Sequence, residues 1–233
     1  MSKRFDVIII GAGPAGIACA QALAGSSLSV LLVEKNDTIG PKTCAGGLTR
    51  AAIDFGIPEG QARTFHSQTV RLDSQPPLKI ILTHPLKTVS RTALARHHLQ
   101  GIERAANIEV VTGTKVTGLT DSSIATDRGD FSYRVLVAAD GSQSIVRRHV
   151  GLPSKFGIGL YYEAPERSDD VLFQFRPGII RSGYIWVFPH RDSTNVGIGF
   201  NPDTLTAGLA KVILQQYMKE KGFTANGARL RGG

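Results

Sequence analysis

A glycine-rich turn near the start of the sequence carries the pattern that cradles a pyrophosphate. The turn consists of Gly11, Ala12, Gly13, Pro14, Ala15 and Gly16. Gly11 permits a tight turn, Gly13 lets the backbone approach a pyrophosphate without an intervening Cβ, and Gly16 allows close packing of a helix on a strand. The N–H groups of the following helix then face the phosphates. The spacing predicts a dinucleotide site; the alternative is an ordinary glycine-rich βαβ unit.

Glu34 supplies the second chemical signal. It ends the next apolar run, at about the distance from the glycines expected for an acid that binds a ribose. Its carboxylate accepts hydrogen bonds from both hydroxyl groups of an adenosine ribose, and its charge repels a 2′-phosphate. Glu34 therefore favours FAD or NAD over NADP at this site.

Two later positions are suited to a charged ligand or its partner. Asp140, followed by Gly141, ends a strand predicted over residues 133–139, and ligands bind at that edge of open α/β sheets. Arg91 lies in the first turn of a helix predicted over residues 89–102, where a cation opposes the helix dipole. We expect Arg91 to meet an anion; the alternative is a solvated arginine.

A long loop over residues 38–49 contains a cysteine beside paired glycines. The four residues concerned are Cys44, Ala45, Gly46 and Gly47. Paired glycines give a flat ligand close access to the backbone, and the thiol is either a polarisable contact or a packed side chain. No cysteine or histidine stands at metal-ligand spacing from Cys44, so no metal site is expected.

Alternating strands and helices position these groups. Phe5–Ile10 and Leu28–Val33 are apolar runs typical of buried parallel strands, and the small residues over 14–24 predict a helix between them. Further strands are predicted over 108–113, 115–119 and 133–139, with a hairpin turn over 127–130. Together these elements predict a βαβ unit followed by a small meander.

A second region has the alternation of an antiparallel sheet. Its strands are predicted over 68–73, 78–83, 171–175, 183–189 and 195–200, before an amphipathic helix over 205–221. The fold class is therefore α/β: a Rossmann-like FAD- or NAD(P)-binding domain with a parallel sheet and a β-meander, and an inserted antiparallel-sheet substrate domain. The predicted limits are 1–62 and 88–154, then 63–87 and 155–204, with a C-terminal helix and tail over 205–233.

The composition sets the class of protein. The 233 residues are 42% hydrophobic, which suits one large or two small domains. Two cysteines argue for a reducing compartment, so we expect a cytoplasmic protein, and its apolar runs are far shorter than the roughly 20 residues that span a bilayer. The net charge of +8 attracts anions, but the basic residues are scattered, so nucleic acid is not an expected partner.

Taken together, the motifs resemble those of FAD-dependent oxidoreductases with the p-hydroxybenzoate hydroxylase fold. This resemblance rests on residues 11–16, the pair Glu34-Lys35, Arg91 before a Leu-rich helix, and the run Ala-Asp-Gly-Ser-x-Ser-x-x-Arg over 139–147. Within that fold, the segments over 42–47, 184–189 and 195–199 resemble the geranylgeranyl reductase family.

The resemblance implies a role for each residue around the adenosine half of FAD. The glycine turn over 11–16 would hold the pyrophosphate, and Glu34 with Lys35 would bind the ribose. Val116 would contact the adenine through its backbone. Asp140, with Gly141, would serve FAD and the pyridine nucleotide.

The same resemblance implies the flavin and substrate contacts. Arg91 would lie near the flavin phosphate or ribityl chain, and the loop over 44–47 would approach the isoalloxazine ring. Tyr184, Trp186 and Phe188 would face an isoprenoid tunnel, since burial stabilises a polyprenyl chain by roughly 0.8 kcal/mol per CH₂. The alternative for these three aromatic residues is ordinary sheet core.

The implied reaction is reduction of a prenyl double bond by hydride transfer from reduced FAD. NADPH or a protein electron donor would recharge the flavin, and the substrate would be an isoprenoid or prenyl lipid. The positive charge and the aromatic strands together predict peripheral contact with an anionic membrane. The alternatives are a flavin monooxygenase (hydroxylase) of the same fold and a truncated, non-catalytic nucleotide-binding remnant.

The sequence departs from the family pattern in one respect. The family has a late Gly-Asp segment that closes over the ribityl chain, whereas the Gly-Asp pair here is Gly129-Asp130, in a predicted hairpin turn. We therefore expect a chain that lacks the last third of the family fold and binds FAD weakly or not at all. Exposed apolar surface and a homodimer are further expectations.

Overall fold

The computed structural model describes residues 3–225 and 229–233, which contain two β-sheets and six helices. In chain order the strands are β1 (Lys3–Ile10), β2 (Val30–Val33), β3 (Gly47–Leu48), β4 (Arg63–Leu72), β5 (Leu78–Thr88), β6 (Ile108–Val111), β7 (Val116–Leu119), β8 (Ser123–Thr126), β9 (Gly129–Ala138), β10 (Ile158–Ala164), β11 (Leu172–Phe175), β12 (Tyr184–Pro189), β13 (Thr194–Phe200) and β14 (Arg231–Gly232). The helices are α1 (Pro14–Leu23), α2 (Arg50–Asp54), α3 (Arg91–Leu99), α4 (Ile145–His149), α5 (Pro177–Ile180) and α6 (Ala207–Glu220).

The first compact unit comprises Met1–Pro41 and Thr92–Lys155. Its six-stranded sheet has the order β6-β2-β1-β9-β8-β7, in which the first four strands are parallel and the last three form an antiparallel meander. Ile8, Ile9, Leu31 and Leu32 are fully buried, because both faces of the central strands are covered. The predicted βαβ unit and meander are confirmed.

The second compact unit comprises Lys42–Arg91 and Phe156–Gly233. Its eight-stranded sheet has the order β14-β10-β13-β12-β11-β4-β5-β3 and is antiparallel except where β11 runs parallel to β4. The side chains alternate along β12, so Ile185 and Val187 pack with Leu214 and Tyr217 of α6. Trp186 points to the other face, in a cluster with Phe65.

The structure corrects several element limits. The strand β10 over Ile158–Ala164 was not predicted, because glycines at 157 and 159 break its apolar pattern. β4 and β5 are longer than predicted, and α3 ends at Leu99 instead of residue 102. The α/β fold class with a parallel and an antiparallel sheet is confirmed.

The compact units also group the chain differently from the predicted domains. Residues 42–62 and 88–91 lie in the second unit, where β3 pairs with β5 and α2 packs nearby. Residues 205–233 belong to that unit as well, because α6 covers its sheet. Among the residues that the structure describes, no helix is long and apolar enough to cross a membrane.

The core beneath α6 contains a phenol without a hydrogen-bonding partner. Tyr217 is fully buried, and its hydroxyl meets no acceptor or donor among the described residues. The Arg176 guanidinium carbon lies 5.6 Å from the centroid of the Tyr217 ring. Burial raises the pKa of Tyr217 to about 12, although Arg176 and Arg71 oppose that rise.

We predict that Tyr217→Phe leaves the free energy of unfolding at neutral pH unchanged or higher, because it removes a buried unpaired hydroxyl. Between pH 10 and 12 the free energy of unfolding of the wild type should fall by up to about 3 kcal/mol relative to that of the variant. The reason is that Tyr217 ionises at a lower pH in the unfolded chain than in the folded protein. Urea unfolding at neutral and alkaline pH measures both effects. If Tyr217→Phe lowered the free energy of unfolding by several kcal/mol at neutral pH, the Tyr217 hydroxyl would have a hydrogen-bonding partner, and the prediction would be wrong.

The control for this prediction is Tyr133→Phe. The Tyr133 hydroxyl donates a 2.6 Å hydrogen bond to the Thr120 carbonyl oxygen. Its removal should therefore cost about 1 kcal/mol at neutral pH. The two variants remove the same atom, so the difference between them reports the hydrogen bond of Tyr133 together with the deeper burial of the Tyr217 hydroxyl.

Candidate functional site

The glycine turn of the first unit is packed too tightly for side chains at two positions. Gly11 has a φ of +97°, and a Cβ there would lie 2.5 Å from the Ala139 carbonyl oxygen. A Cβ at Gly16 would lie 1.8 Å from the carbonyl oxygen of Gly11. The Gly11 amide donates to the Val33 carbonyl oxygen at 2.7 Å. These contacts hold β1, β2, β9 and the start of α1 together.

Gly13 differs from the other two glycines because it faces open space. A Cβ at Gly13 would have no described atom within 4 Å. Gly13 is the N-cap of α1, with an extended backbone and no side chain that could cap the helix. The Ile17 amide makes the first hydrogen bond of the helix, to the Gly13 carbonyl oxygen at 3.0 Å, so the N–H groups of Ala15 and Gly16 have no partner within α1. A helix N-terminus of this kind favours an anion such as a pyrophosphate.

The Glu34 carboxylate is held beside the glycine turn. One oxygen accepts a 2.9 Å hydrogen bond from the Ala12 amide. The other oxygen accepts from the backbone and side-chain nitrogens of Asn36, at 2.9 and 2.7 Å. Glu34 is buried, whereas the neighbouring Lys35 is exposed. The two hydrogen bonds from Asn36 occupy both acceptor positions of Oε1, whereas Oε2 retains one further position, so the group remains able to bind a ribose hydroxyl through Oε2.

Asp140 brings a second carboxylate to the same turn. A Cβ built on Gly11 would lie 2.9 Å from the Asp140 Cα. Asp140 Oδ2 accepts a 2.7 Å hydrogen bond from the Ile145 amide, whereas its Oδ1 is buried without a described partner. Gly141 follows with a φ of +80°, and Arg147 donates to its carbonyl oxygen at 3.2 Å. A buried carboxylate oxygen without a protein donor needs a hydrogen bond from a water molecule or from a ligand hydroxyl.

Val116 lies in β7, at the edge of the same sheet. Its backbone pairs with Thr126 of β8, and its side chain packs on a core that includes Ile10 and Val33. Two residues earlier in the chain, the Thr114 amide donates to the Glu34 carbonyl oxygen at 2.9 Å, so Val116 lies near the carboxyl end of β2. Its contact with adenine stays a prediction.

The Cys44 loop lies in the second unit, where Arg91 binds its thiol. Arg91 Nη2 donates to Cys44 Sγ at 2.7 Å, and the Gly46 amide donates to the same sulfur at 3.5 Å. Gly46 has a φ of +82°, and a Cβ there would lie 2.5 Å from the Val89 carbonyl oxygen. A Cβ at Gly47 would lie 2.4 Å from the Phe188 ring. Both glycines are thus required by packing within the loop's own unit.

A partly buried polar network under this loop was missed by the sequence analysis. His190 Nε2 bonds to the Ala45 carbonyl oxygen at 2.9 Å, and His190 Nδ1 lies 3.8 Å from the Glu163 carboxylate. Asn195 donates to Glu163 at 2.7 Å and to the Cys44 carbonyl oxygen at 3.5 Å. The available signal was a histidine and an asparagine that flank the hairpin between two apolar strands.

The aromatic residues predicted to face a substrate differ in exposure. Trp186 and Phe188 are buried, and the Trp186 indole donates to Asn195 at 2.6 Å. Tyr184 is exposed, and its ring centroid lies 5.8 Å from that of Phe173. All three project from one face of β12. Their contact with a substrate stays a prediction, and the described residues contain no cluster of three or more potential metal ligands.

We predict that His190→Ala loosens the Cys44 loop, because the half-buried Ala45 carbonyl oxygen loses its donor. The free energy of unfolding should fall by about 1–3 kcal/mol, and alkylation of Cys44 by iodoacetamide should accelerate. Urea unfolding and peptide mass spectrometry, which separates Cys44 from Cys19, measure the two effects. The exposed His66 provides the control, since His66→Ala should change stability by less than about 0.5 kcal/mol. Equal alkylation rates in both variants would contradict the positioning of the loop by His190.

Comparisons with known proteins match both parts of the chain. The family model for FAD dependent oxidoreductases matches residues 6–143. The model for the geranylgeranyl reductase catalytic domain matches residues 162–230. The first match covers the glycine turn, Glu34 and Asp140, and the second covers β12 and the polar network's Glu163, His190 and Asn195.

Individual relatives agree with these matches. The digeranylgeranylglycerophospholipid reductase of Methanocella arvoryzae is 30% identical over 85% of this chain and 57% of its own length. The crystal structure of a geranylgeranyl bacteriochlorophyll reductase-like protein from Thermoplasma acidophilum has a TM-score of 0.84 at 22% identity, over 100% of this chain and 66% of that one. The crystal structure of a probable FAD-dependent monooxygenase from Pseudomonas aeruginosa has a TM-score of 0.65 at 19% identity, over 87% of this chain and 62% of that one. The chain spans roughly three fifths of the length of the curated relatives that it matches.

Proposed function

This chain belongs to the FAD-dependent oxidoreductases, and from that membership we propose that its glycine turn, Glu34 and Asp140 hold the ADP part of FAD. The observations that carry the proposal are the open space at Gly13 and the buried Asp140 Oδ1, which has no partner among the described residues. A pyrophosphate suits the open space at Gly13, because the helix N-terminus there favours negative charge. A hydroxyl donor from the cofactor would satisfy the Asp140 oxygen.

The remaining cofactor contacts are proposed from the family resemblance. Lys35 is exposed and follows Glu34, the acid proposed to bind the ribose. Val116 would contact the adenine through its backbone. In the second unit, Arg91 and the loop over 44–47 would contact the flavin part. The Arg91–Cys44 hydrogen bond supports this assignment, because it fixes a cation and a polarisable sulfur in one place.

We further propose that the protein reduces prenyl double bonds. The support is the match of residues 162–230 to the reductase catalytic domain and the name of the Methanocella relative, which is a prenyl-lipid reductase. FAD supplies the hydride chemistry when it is bound. The chain's own task is to bind and orient the substrate: Tyr184 and Phe173 offer an aromatic wall that excludes water from a prenyl chain.

The wider setting follows from the same proposal. NADPH or a protein electron donor would recharge the flavin. A cytoplasmic protein that contacts an anionic membrane peripherally would reach a prenyl-lipid substrate, and the net charge of +8 supports that contact. The exposed apolar residues also suit a homodimer.

A flavin monooxygenase is the second candidate function. The fold likeness to the Pseudomonas protein, with a TM-score of 0.65, favours it. The two candidates use FAD differently, because the monooxygenase reaction consumes oxygen and inserts one oxygen atom into the substrate. The reductase reaction adds two hydrogens and needs no oxygen.

The deciding experiment mixes the chain with excess dithionite-reduced FAD and digeranylgeranylglycerophospholipid, with and without air. We predict a product that gains two hydrogens per reduced double bond without air, as measured by mass spectrometry. The controls are the same mixture without protein and with heat-unfolded protein. Oxygen insertion that requires air would replace the reductase with the monooxygenase, and no product in either arm would remove both.

A further inference from the structure

The Trp186 indole is held in one orientation on the second unit's sheet. A Cβ built on Gly197 would lie 2.2 Å from Trp186 Cζ2, and Cβ atoms built on Gly159 and Gly199 would each lie 3.5 Å from the same ring. The indole Nε1 donates to Asn195 Oδ1 at 2.6 Å. The glycines therefore let the ring lie close to the sheet, and the hydrogen bond sets the direction in which it points.

The indole in turn fixes the orientation of the Asn195 side-chain amide. An indole N–H only donates, so the Asn195 atom beside it is the oxygen and the amide nitrogen points away from the ring. That nitrogen donates to Glu163 Oε1 at 2.7 Å and to the Cys44 carbonyl oxygen at 3.5 Å. Glu163 and Asn195 lie directly opposite each other on β10 and β13. Asn195 thus connects the indole, a carboxylate and the Cys44 loop.

The Glu163 carboxylate also borders the second side chain that contacts the loop. Its Oε2 accepts from the Ser193 hydroxyl at 3.0 Å and lies 3.8 Å from His190 Nδ1. His190 Nε2 donates to the Ala45 carbonyl oxygen at 2.9 Å, because a carbonyl oxygen only accepts. Both side chains that donate to the loop carbonyls, Asn195 and His190, therefore lie against one carboxylate.

We propose that Glu163 is a positioning residue, which fixes the Trp186 indole and the Cys44 loop relative to each other through Asn195. A carboxylate suits this task because both of its oxygens accept, and hydrogen bonds to an ionised group are roughly twice as strong as neutral ones. The positioning stands on the hydrogen bonds of the second unit. Its importance for catalysis rests on the proposed reductase function, in which Trp186 would face the substrate and the loop would face the flavin.

A network that only stabilises the sheet would behave differently. Loss of Glu163 would then lower the free energy of unfolding but leave the surroundings of Trp186 and Cys44 unchanged in the folded protein. Each of these two residues can be followed separately. Trp186 is the single tryptophan of the sequence, so fluorescence reports on it alone, and peptide mass spectrometry separates Cys44 from Cys19.

The variant Glu163→Leu tests the positioning, because it removes the acceptor for the Asn195 amide. We expect Trp186 emission to shift to longer wavelength and its quenching by acrylamide to increase. Alkylation of Cys44 by iodoacetamide should accelerate about tenfold, which corresponds to about 1.4 kcal/mol of lost hydrogen bonding in the closed loop. Circular dichroism and urea unfolding establish the folded fraction under the conditions of each measurement.

A conservative variant and a stability control accompany Glu163→Leu. In Glu163→Gln the side-chain oxygen can still accept from Asn195 while the nitrogen donates to the Ser193 hydroxyl, so emission and alkylation should stay near the wild-type values. The control Thr206→Ala destabilises the same unit by removing the N-cap of α6, away from the network, and should change neither readout.

A second variant, Asn195→Ala, removes the connection itself and leaves Glu163 in place. It should reproduce both effects of Glu163→Leu, and it carries the test if Glu163→Leu does not fold. Unchanged emission and alkylation in the folded Glu163→Leu or Asn195→Ala protein would overturn the positioning. Equal changes in Thr206→Ala, or a Glu163→Gln protein that behaves like Glu163→Leu, would overturn it as well.

A separate assay distinguishes this proposal from the reductase function. Reduction of digeranylgeranylglycerophospholipid by dithionite-reduced FAD is measured without air. We expect Glu163→Leu to lower kcat about tenfold and to change KM less, because a displaced loop misaligns substrate and flavin, and Glu163→Gln to restore kcat. Changed emission and alkylation without turnover by the wild type would leave the positioning standing and remove the reductase function. Equal kcat in the wild type and Glu163→Leu would overturn the role of Glu163 in the reaction.

Discussion

The first unit depends on the absence of side chains at two points of its glycine turn. The 1.8 Å between a Cβ built on Gly16 and the carbonyl oxygen of Gly11 leaves no space for any other residue. This close approach lets α1 begin directly against β1 and β9, so its N-terminus, Glu34 and Asp140 meet at one edge of the sheet. Carboxylates accept hydrogen bonds from ribose hydroxyls, whereas a helix N-terminus favours phosphate groups. The close packing at Gly11 and Gly16 therefore brings groups for both parts of the proposed nucleotide to one place.

The Cys44 loop depends on a different constraint, which is that polar side chains in the sheet beneath it find hydrogen-bonding partners in the loop backbone. Glu163, Asn195 and His190 lie on an otherwise apolar sheet face, and their partners include the backbone carbonyls of Cys44 and Ala45. The loop is therefore held by groups that would be costly to leave unpaired. In the same way, Arg91 meets the Cys44 sulfur at the position where a cation opposes its own helix dipole.

The parts of the fold that the sequence predicted are local. The apolar run of β1, the glycine spacing and the acid at Glu34 follow one another within about thirty residues, and each has a distinct pattern. The family membership followed from these motifs and is confirmed. The polar network was not predictable, because Glu163 and Asn195 are 32 positions apart and Ala45 and His190 are 145 apart. Tyr184 is exposed although Trp186, on the same face of β12, is buried. This difference depends on which strands lie beside β12, and the alternation of apolar residues along one strand does not identify its neighbours.

The most direct test of the account is calorimetric titration of ADP into the wild type, Gly13→Val and the control Gly178→Val. Both glycines face open space without a left-handed φ, so both variants should fold, but Gly13 alone lies at the proposed pyrophosphate site. We predict that ADP binds the wild type and Gly178→Val alike and binds Gly13→Val at least tenfold more weakly, a loss of about 1.4 kcal/mol or more. Equal ADP affinity in all three proteins, or no binding to the folded wild type, would contradict the assignment of the glycine turn to a nucleotide pyrophosphate.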